Sequence, residues 1–118
     1  MIDNIRLSEK AKQQLIVIKR KTGIENWNVL CRWALCLSLA EESIPPFEDI
    51  QTDSSVEMTW KVFSGEWNTI IKSLFIYRVQ NDNIQISQAE NYFKIHLHRG
   101  ISYLTQKISE NNLDYLFK

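Results

Sequence analysis

The sequence predicts a mainly α protein, a compact helical bundle carrying at most one or two short strands. Three observations lead there. Only three glycines and two prolines occur in 118 residues, too few for the many tight turns of a sandwich or barrel. Four tryptophans, four tyrosines, five phenylalanines and a 44% hydrophobic content supply a core. Apolar residues recur at helical spacing along most of the chain. One domain over residues 1–118 fits this length, and such domains bury roughly two-thirds of the surface their unfolded chain exposes, so neither metal nor disulfide is required to hold it.

The elements follow in order. Ile5-Arg6-Leu7 alternates and reads as a short strand or extended arm. Ser8 caps a first helix over about residues 9–21, whose inward stripe is Ala11, Leu15 and Ile18 and whose stop is Gly23. On a helical wheel Lys12 and Lys19 lie at one edge of that stripe, Lys10 and Lys21 near the other, and Arg20 points away. Thr22-Gly23-Ile24-Glu25 fits a capping box for a second helix, with Asn26 as the competing cap. That helix runs from about Trp27 to Ala40 and is apolar in nearly every direction, interrupted by Asn28, Arg32 and Ser38. A helix apolar all round must be covered all round, so it is expected to pack against another subunit as well as its own chain. Arg32 cannot shed its charge and must find a carboxylate, helix-end carbonyls or a bound phosphate.

Ser43 to Ser55, with Pro45-Pro46, reads as a loop. Val56, Met58, Trp60 and Val62 alternate with polar residues and predict a strand. Ser64-Gly65-Glu66 opens a third helix through about Val79, with Trp67, Ile70, Ile71, Leu74 and Phe75 as its buried set. Asn81-Asp82-Asn83 is a turn, and Ser87-Gln88-Ala89-Glu90 makes a capping box for a long helix reaching about Ile108. Gly100 inside that helix costs about 1 kcal/mol relative to alanine, which points to a kink or a close helix crossing. Asn111-Asn112 ends it, and Leu113 to Phe117 form a short terminal turn.

Charge is balanced overall, 14 basic against 14 acidic, but polarised. Residues 1–39 net +4, residues 40–60 carry six acids and no base, and residues 61–118 net +2. General attraction to polyanions is absent, whereas a local basic surface remains. No secretory signal pattern is visible, the stretch Trp33 to Ala40 is far short of the ~20 residues that span a bilayer, and Cys31 and Cys36 sit on different helical faces. Free, buried thiols in a reducing cytoplasm are the expectation.

Catalytic patterns are missing. The glycines are 42 and 35 residues apart and build no phosphate loop, no nucleophile elbow occurs, and the cysteines lack zinc spacing. His96 and His98 point about 200° apart on a helix and cannot share a metal. Glu57 is followed at position 59 by threonine, where a nuclease-like cluster wants lysine. The expectation is a binding protein without enzymatic activity, metal or cofactor. His98 and Arg99 could form a small anion patch; otherwise one histidine packs in the core and Arg99 is solvated or ion-paired.

Several blocks carry a resemblance. Arg6-Leu7-Ser8, Leu15, Lys19 through Ile24, Asn26 through Ala34 and Ser38-Leu39, followed by Glu57 through Phe63 with Gly65 and His96 through Gly100, together resemble the DndE family of DNA sulfur-modification proteins. The order and spacing of the blocks carry the likeness, and residues 40–55 take no part. The resemblance implies a small, mainly helical, non-catalytic subunit of bacterial DNA phosphorothioation that forms homotetramers and binds nicked duplex DNA, alongside other subunits of the machinery. The first third is also similar in layout to ribbon-helix-helix folds, an arm followed by two helices. A protein that recognises a break or an altered linkage reads backbone shape and charge, which makes Lys10, Lys12, Lys19, Arg20 and Lys21, with Arg6 and Arg99, the candidate DNA contacts. An assembly adapter of the modification complex and a ribbon-helix-helix repressor are the competing functions.

Overall fold

The computed structural model describes residues 2–110, so the expected break at Asn111-Asn112 and the terminal turn lie outside the described residues. Two short strands, β1 (Asn4–Arg6) and β2 (Glu57–Thr59), pair antiparallel with Ile5 opposite Met58. Both of those side chains are buried, while Arg6 and Glu57 face outward and pair across the ladder at 2.7 Å. Helix α1 (Glu9–Thr22) starts where the Ser8 hydroxyl accepts the Ala11 N–H and stops at Gly23, whose φ of 77° no β-carbon opposes. Ala11, Leu15 and Ile18 are its buried residues, as the sequence predicts.

Helix α2 (Trp27–Ala40) follows Asn26, which makes no side-chain cap bond. The expected capping box does not form: the Thr22 hydroxyl is still part of α1, donating to the Ile18 carbonyl (2.7 Å) and accepting from the Ile24 N–H (3.2 Å). After the loop and β2 the alternation also ends early. Thr59 caps helix α3 (Trp60–Ser64) by accepting from the Val62 N–H, so Trp60 and Phe63 enter the core together at helical spacing and Val62 is left exposed. A 3-10 turn over Gly65–Trp67 leads into α4 (Asn68–Asn81). A second, over Ile86–Gln88, leads into α5 (Ala89–Ser109). Ser87 is therefore inside a turn rather than a cap; the carbonyls of Gln85 and Ile86 satisfy the Gln88 and Ala89 N–H groups in its place.

Helix α5 is the central strut, packed along α2 and α1. The close approach that Gly100 suggests lies here: a β-carbon at Gly100 would stand 1.8 Å from the Ala34 carbonyl oxygen. Beside the crossing, Phe63, Phe75 and Phe93 meet edge to face, with ring centroids 5.3–5.6 Å apart, and Trp60 leans on Phe63 and Phe93. Such pairs add about 0.5–1.5 kcal/mol each beyond their burial. Of the five residues expected to be buried along this stretch, three are not. Ile71 and Phe75 are buried, joined by Arg78, but Trp67, Ile70 and Leu74 are exposed. One protomer covers one face of α4 and no more.

Candidate nucleic-acid interface

The amino-terminal end of α1 is seated by three side chains, its own cap Ser8 and two from distant parts of the chain. Ser8 caps Ala11; the Asp53 carboxylate accepts the Glu9 N–H at 3.0 Å; His98 Nε2 accepts the Ser8 N–H at 3.1 Å. Because Nε2 accepts, the His98 proton sits on Nδ1 and is donated to the Lys94 carbonyl at 2.8 Å. Burial lowers the His98 pKa against that opposing bond, which keeps the ring neutral. The acidic loop is thus tied to α1, with Ser54 and Val56 also bonded to Leu7 through the backbone.

This seating turns the basic residues of α1 outward. Lys10, Arg20 and Lys21 are exposed and, among the described residues, have no hydrogen-bond or ion-pair partner. Lys12 is half-buried and donates to the Ser55 hydroxyl at 3.0 Å. Lys19 lies over the Trp27 ring, 4.1 Å from its centroid, an attraction worth about 0.5–1 kcal/mol at such a site. Arg6 stands apart on the sheet in its pair with Glu57. Arg99 is committed elsewhere: its guanidinium donates to the Ser38 hydroxyl (2.8 Å) and carbonyl (2.9 Å) and to the Ser43 carbonyl (3.0 Å) and hydroxyl (3.1 Å). The geometry groups the five α1 residues on one helix and leaves Arg6 and Arg99 outside the group. Arg32, for its part, is a carbonyl clamp, donating to Phe63 at 2.7 Å.

Arg99 shares its task with a residue that the sequence pattern does not single out. Arg78 is 6% exposed and donates to the Leu39 and Glu41 carbonyls, both at 2.8 Å, and to Asp82 at 3.1 Å. Two guanidinium groups therefore meet the negative end of the α2 dipole. Burial opposes ionisation of Asp82, but its bonds from Tyr92 and Arg78 outweigh that and hold its pKa below the ordinary range. Burial and then Asp82 push Tyr92 up to about 12. The signal available in the sequence is phase: Arg78 falls on the same stripe as Ile71 and Phe75, where a charge needs buried partners.

Ser38 and His96 form a hydrogen bond of 2.7 Å that resembles a nucleophile and its base. Both residues are 0% exposed, and the Ser38 oxygen accepts from Arg99, so its proton goes to His96 Nδ1. His96 Nε2 is left buried with no partner among the described residues, and the imidazole packs at right angles to the Tyr92 ring, with centroids 4.6 Å apart. Burial first, then Arg78 and Arg99, lower the His96 pKa to about 4. Unfolded His96 binds a proton near pH 6.5 that the folded chain refuses, so stability falls as pH drops from about 6.5 towards 4, by roughly 3 kcal/mol. Urea midpoints at pH 7 and pH 4.5 should show that loss, and His96→Gln should reduce it. Equal midpoints would mean the ring is not held neutral.

The thiols depart from expectation in one respect. Cys31 is buried, which pushes it up to about 12, but Cys36 is exposed on the outer face of α2. That face continues the apolar spacing through Val29, Trp33, Cys36 and Ala40 and is incompletely covered. Trp67, at the end of the 3-10 turn, and Ile70, Leu74 and Tyr77 on α4 repeat the pattern with exposures of 48, 54, 45 and 63%. Monomeric proteins rarely leave such contiguous stripes in water. Among the described residues no group of His, Cys, Asp or Glu is placed to hold a metal, and no helix is long and apolar enough to cross a membrane.

Comparison with known proteins places the fold and the family. The crystal structure of DndE from Escherichia coli B7A, involved in DNA phosphorothioation modification, is similar to this chain with a TM-score of 0.73 and 20% identity, covering 88% of this chain and 98% of that one. A glycine-to-lysine mutant of DndE involved in DNA phosphorothioation is similar with a TM-score of 0.65 and 15% identity, covering 87% and 99%. At these identities the likeness establishes the fold. No curated protein sequence matches significantly. The model of the family described as DNA sulphur modification protein DndE matches residues 4–112, nearly the whole chain, and the protein belongs to that family.

Proposed function

We propose that this chain is a non-catalytic subunit of the bacterial DNA phosphorothioation machinery, working in the cytoplasm as a homotetramer that holds nicked duplex DNA by its backbone, without a cofactor. The observation that carries the reading is the outer surface of α1, where Lys10, Arg20 and Lys21 stand exposed and, among the described residues, unpaired, and Lys12 and Lys19 flank them. Cations held on a rigid helix without interleaved exposed aromatics suit phosphate contact better than base stacking. One protomer offers few such groups. Four copies multiply them, and the apolar stripes of α2 and α4 are the surfaces available for that assembly.

The repressor alternative is the less favoured one. β1 pairs with β2 of its own chain, and of its two outward side chains, Asn4 and Arg6, Arg6 is engaged with Glu57. A groove-reading ribbon needs such side chains free for base edges.

Lys10→Glu, Arg20→Glu and Lys21→Glu together test the reading. None of these residues has a structural partner among the described residues, so the variant should melt near the wild type, while affinity for nicked duplex at 0.1 M salt falls by about 100-fold or more. The salt dependence should flatten by about 0.9 log units for each phosphate that is no longer neutralised. Unchanged affinity would exclude this face of α1. Light scattering should find four 14.0 kDa chains together, and Trp33→Glu with Leu74→Glu should divide the assembly; a solitary wild-type chain would refute it.

A further inference from the structure

We propose that the groove between the 44–47 segment and the start of α5 is a docking site for a cationic, apolar-anchored peptide segment of a protein partner. The groove holds about 320 Å³ and has a floor of buried Pro45, Tyr92 and Ile95. Its rim leaves two large apolar side chains in water, Phe47 at 77% and Ile44 at 56%, and the adjoining 3-10 turn leaves a third, Ile86, at 90%. Such a rim around a concave apolar floor is how helix-in-groove and extended-peptide sites are built.

Both walls are fixed in advance. Ser43, next to Ile44, has its carbonyl held by Arg99 at 3.0 Å and by Arg78 at 3.4 Å. The opposite wall is set by Asn83 in a left-handed turn (φ 56°), with the Ile84 N–H bonded to the Val79 carbonyl at 2.9 Å. Tyr92 in the floor is tied to Asp82 through its hydroxyl. A preformed groove loses little conformational freedom on binding.

Charge selects the occupant. Glu41, Glu42, Glu48 and Asp49 are exposed on the segment that carries Ile44 and Phe47, and residues 40–60 contain no lysine or arginine. The other groove residues are neutral amides and apolar groups. A polyanion is repelled by that segment, whereas lysines or arginines flanking one or two apolar anchors complement the acids on either side of Ile44 and Phe47 along the chain. The proposal does not rest on DNA binding by α1.

The probe is a dye-labelled 14-residue amphipathic helical peptide with leucine and phenylalanine on one face and lysines beside it. Its controls are a twin with every lysine replaced by glutamate and a twin with the anchors replaced by alanine. Expected are micromolar binding of the lysine peptide alone, weakening with salt, and amide shifts confined to residues 44–49 and 83–95. Phe47→Ser with Ile86→Ser, both solvent-exposed and so compatible with the wild-type melt, should weaken it at least 10-fold, and Glu48→Lys with Asp49→Lys should do the same. No binding of the lysine peptide, equal binding of the glutamate twin, or shifts on another face would overturn the proposal. So would a drop in the assembly mass of the Phe47→Ser, Ile86→Ser variant, because the occupant would then be a second copy of this chain.

Discussion

Replacing Gly100 with alanine should lower stability by about 3 kcal/mol or more, on the order of 10 °C or more in Tm, where helix propensity alone would raise it by about 1 kcal/mol. The sign is reversed by one close approach. The new β-carbon would sit 1.8 Å from the Ala34 carbonyl oxygen and 2.4 Å from its carbonyl carbon, both backbone atoms of α2. No side chain can swing away, so α2 and α5 must separate along the crossing that joins the two most extensively packed helices. Shrinking the partner should not help: Ala34→Gly combined with Gly100→Ala leaves the oxygen where it was. Gly23→Ala is the useful comparison, since a β-carbon there meets nothing within 4 Å and only its φ of 77° is strained, a cost of about 1 kcal/mol. Thermal melts of the three variants decide it; a Gly100→Ala protein as stable as wild type would mean the helices do not cross this closely.

Arg78→Met should be nearly as damaging, with about 3–5 kcal/mol lost. The substitution keeps most of the side-chain volume but removes the donors to the Leu39 and Glu41 carbonyls and the cation facing Asp82, whose side chain is 4% exposed. An unpaired buried carboxylate then remains beside Tyr92. Neutralising it should recover part of the loss, so Arg78→Met with Asp82→Asn is expected to cost at least about 1 kcal/mol less than the sum of the single variants. Urea titrations at pH 7 would measure the cycle. Strict additivity would show that the two side chains do not share one network.

The mainly α fold, the ranges of α1 and α2, the cap at Ser8, the stop at Gly23 and the crossing at Gly100 are legible in the sequence because each rests on local chemistry: spacing, a side-chain oxygen, a missing β-carbon. The basic face of α1 is legible for the same reason, since five cations on one helix keep their angular order however the helix is packed. Signals with two local solutions mislead. Thr22 can cap the next helix or finish its own, and it finishes its own. The alternation through Val62 suits a strand, but Phe63 is drawn into the aromatic core and Thr59 becomes a cap.

Sequence alone determined the ranges of α1 and α2 and which side of α1 is charged, because backbone geometry and residue spacing suffice for both. Only the tertiary structure decided that Arg99 and Arg78 bond the carbonyls at the end of α2, that His96 is sealed beside them, and that the apolar side of α4 is left uncovered. Those outcomes depend on which distant carbonyls and rings arrive beside a side chain, and no local pattern encodes an arrival from about forty or sixty residues away.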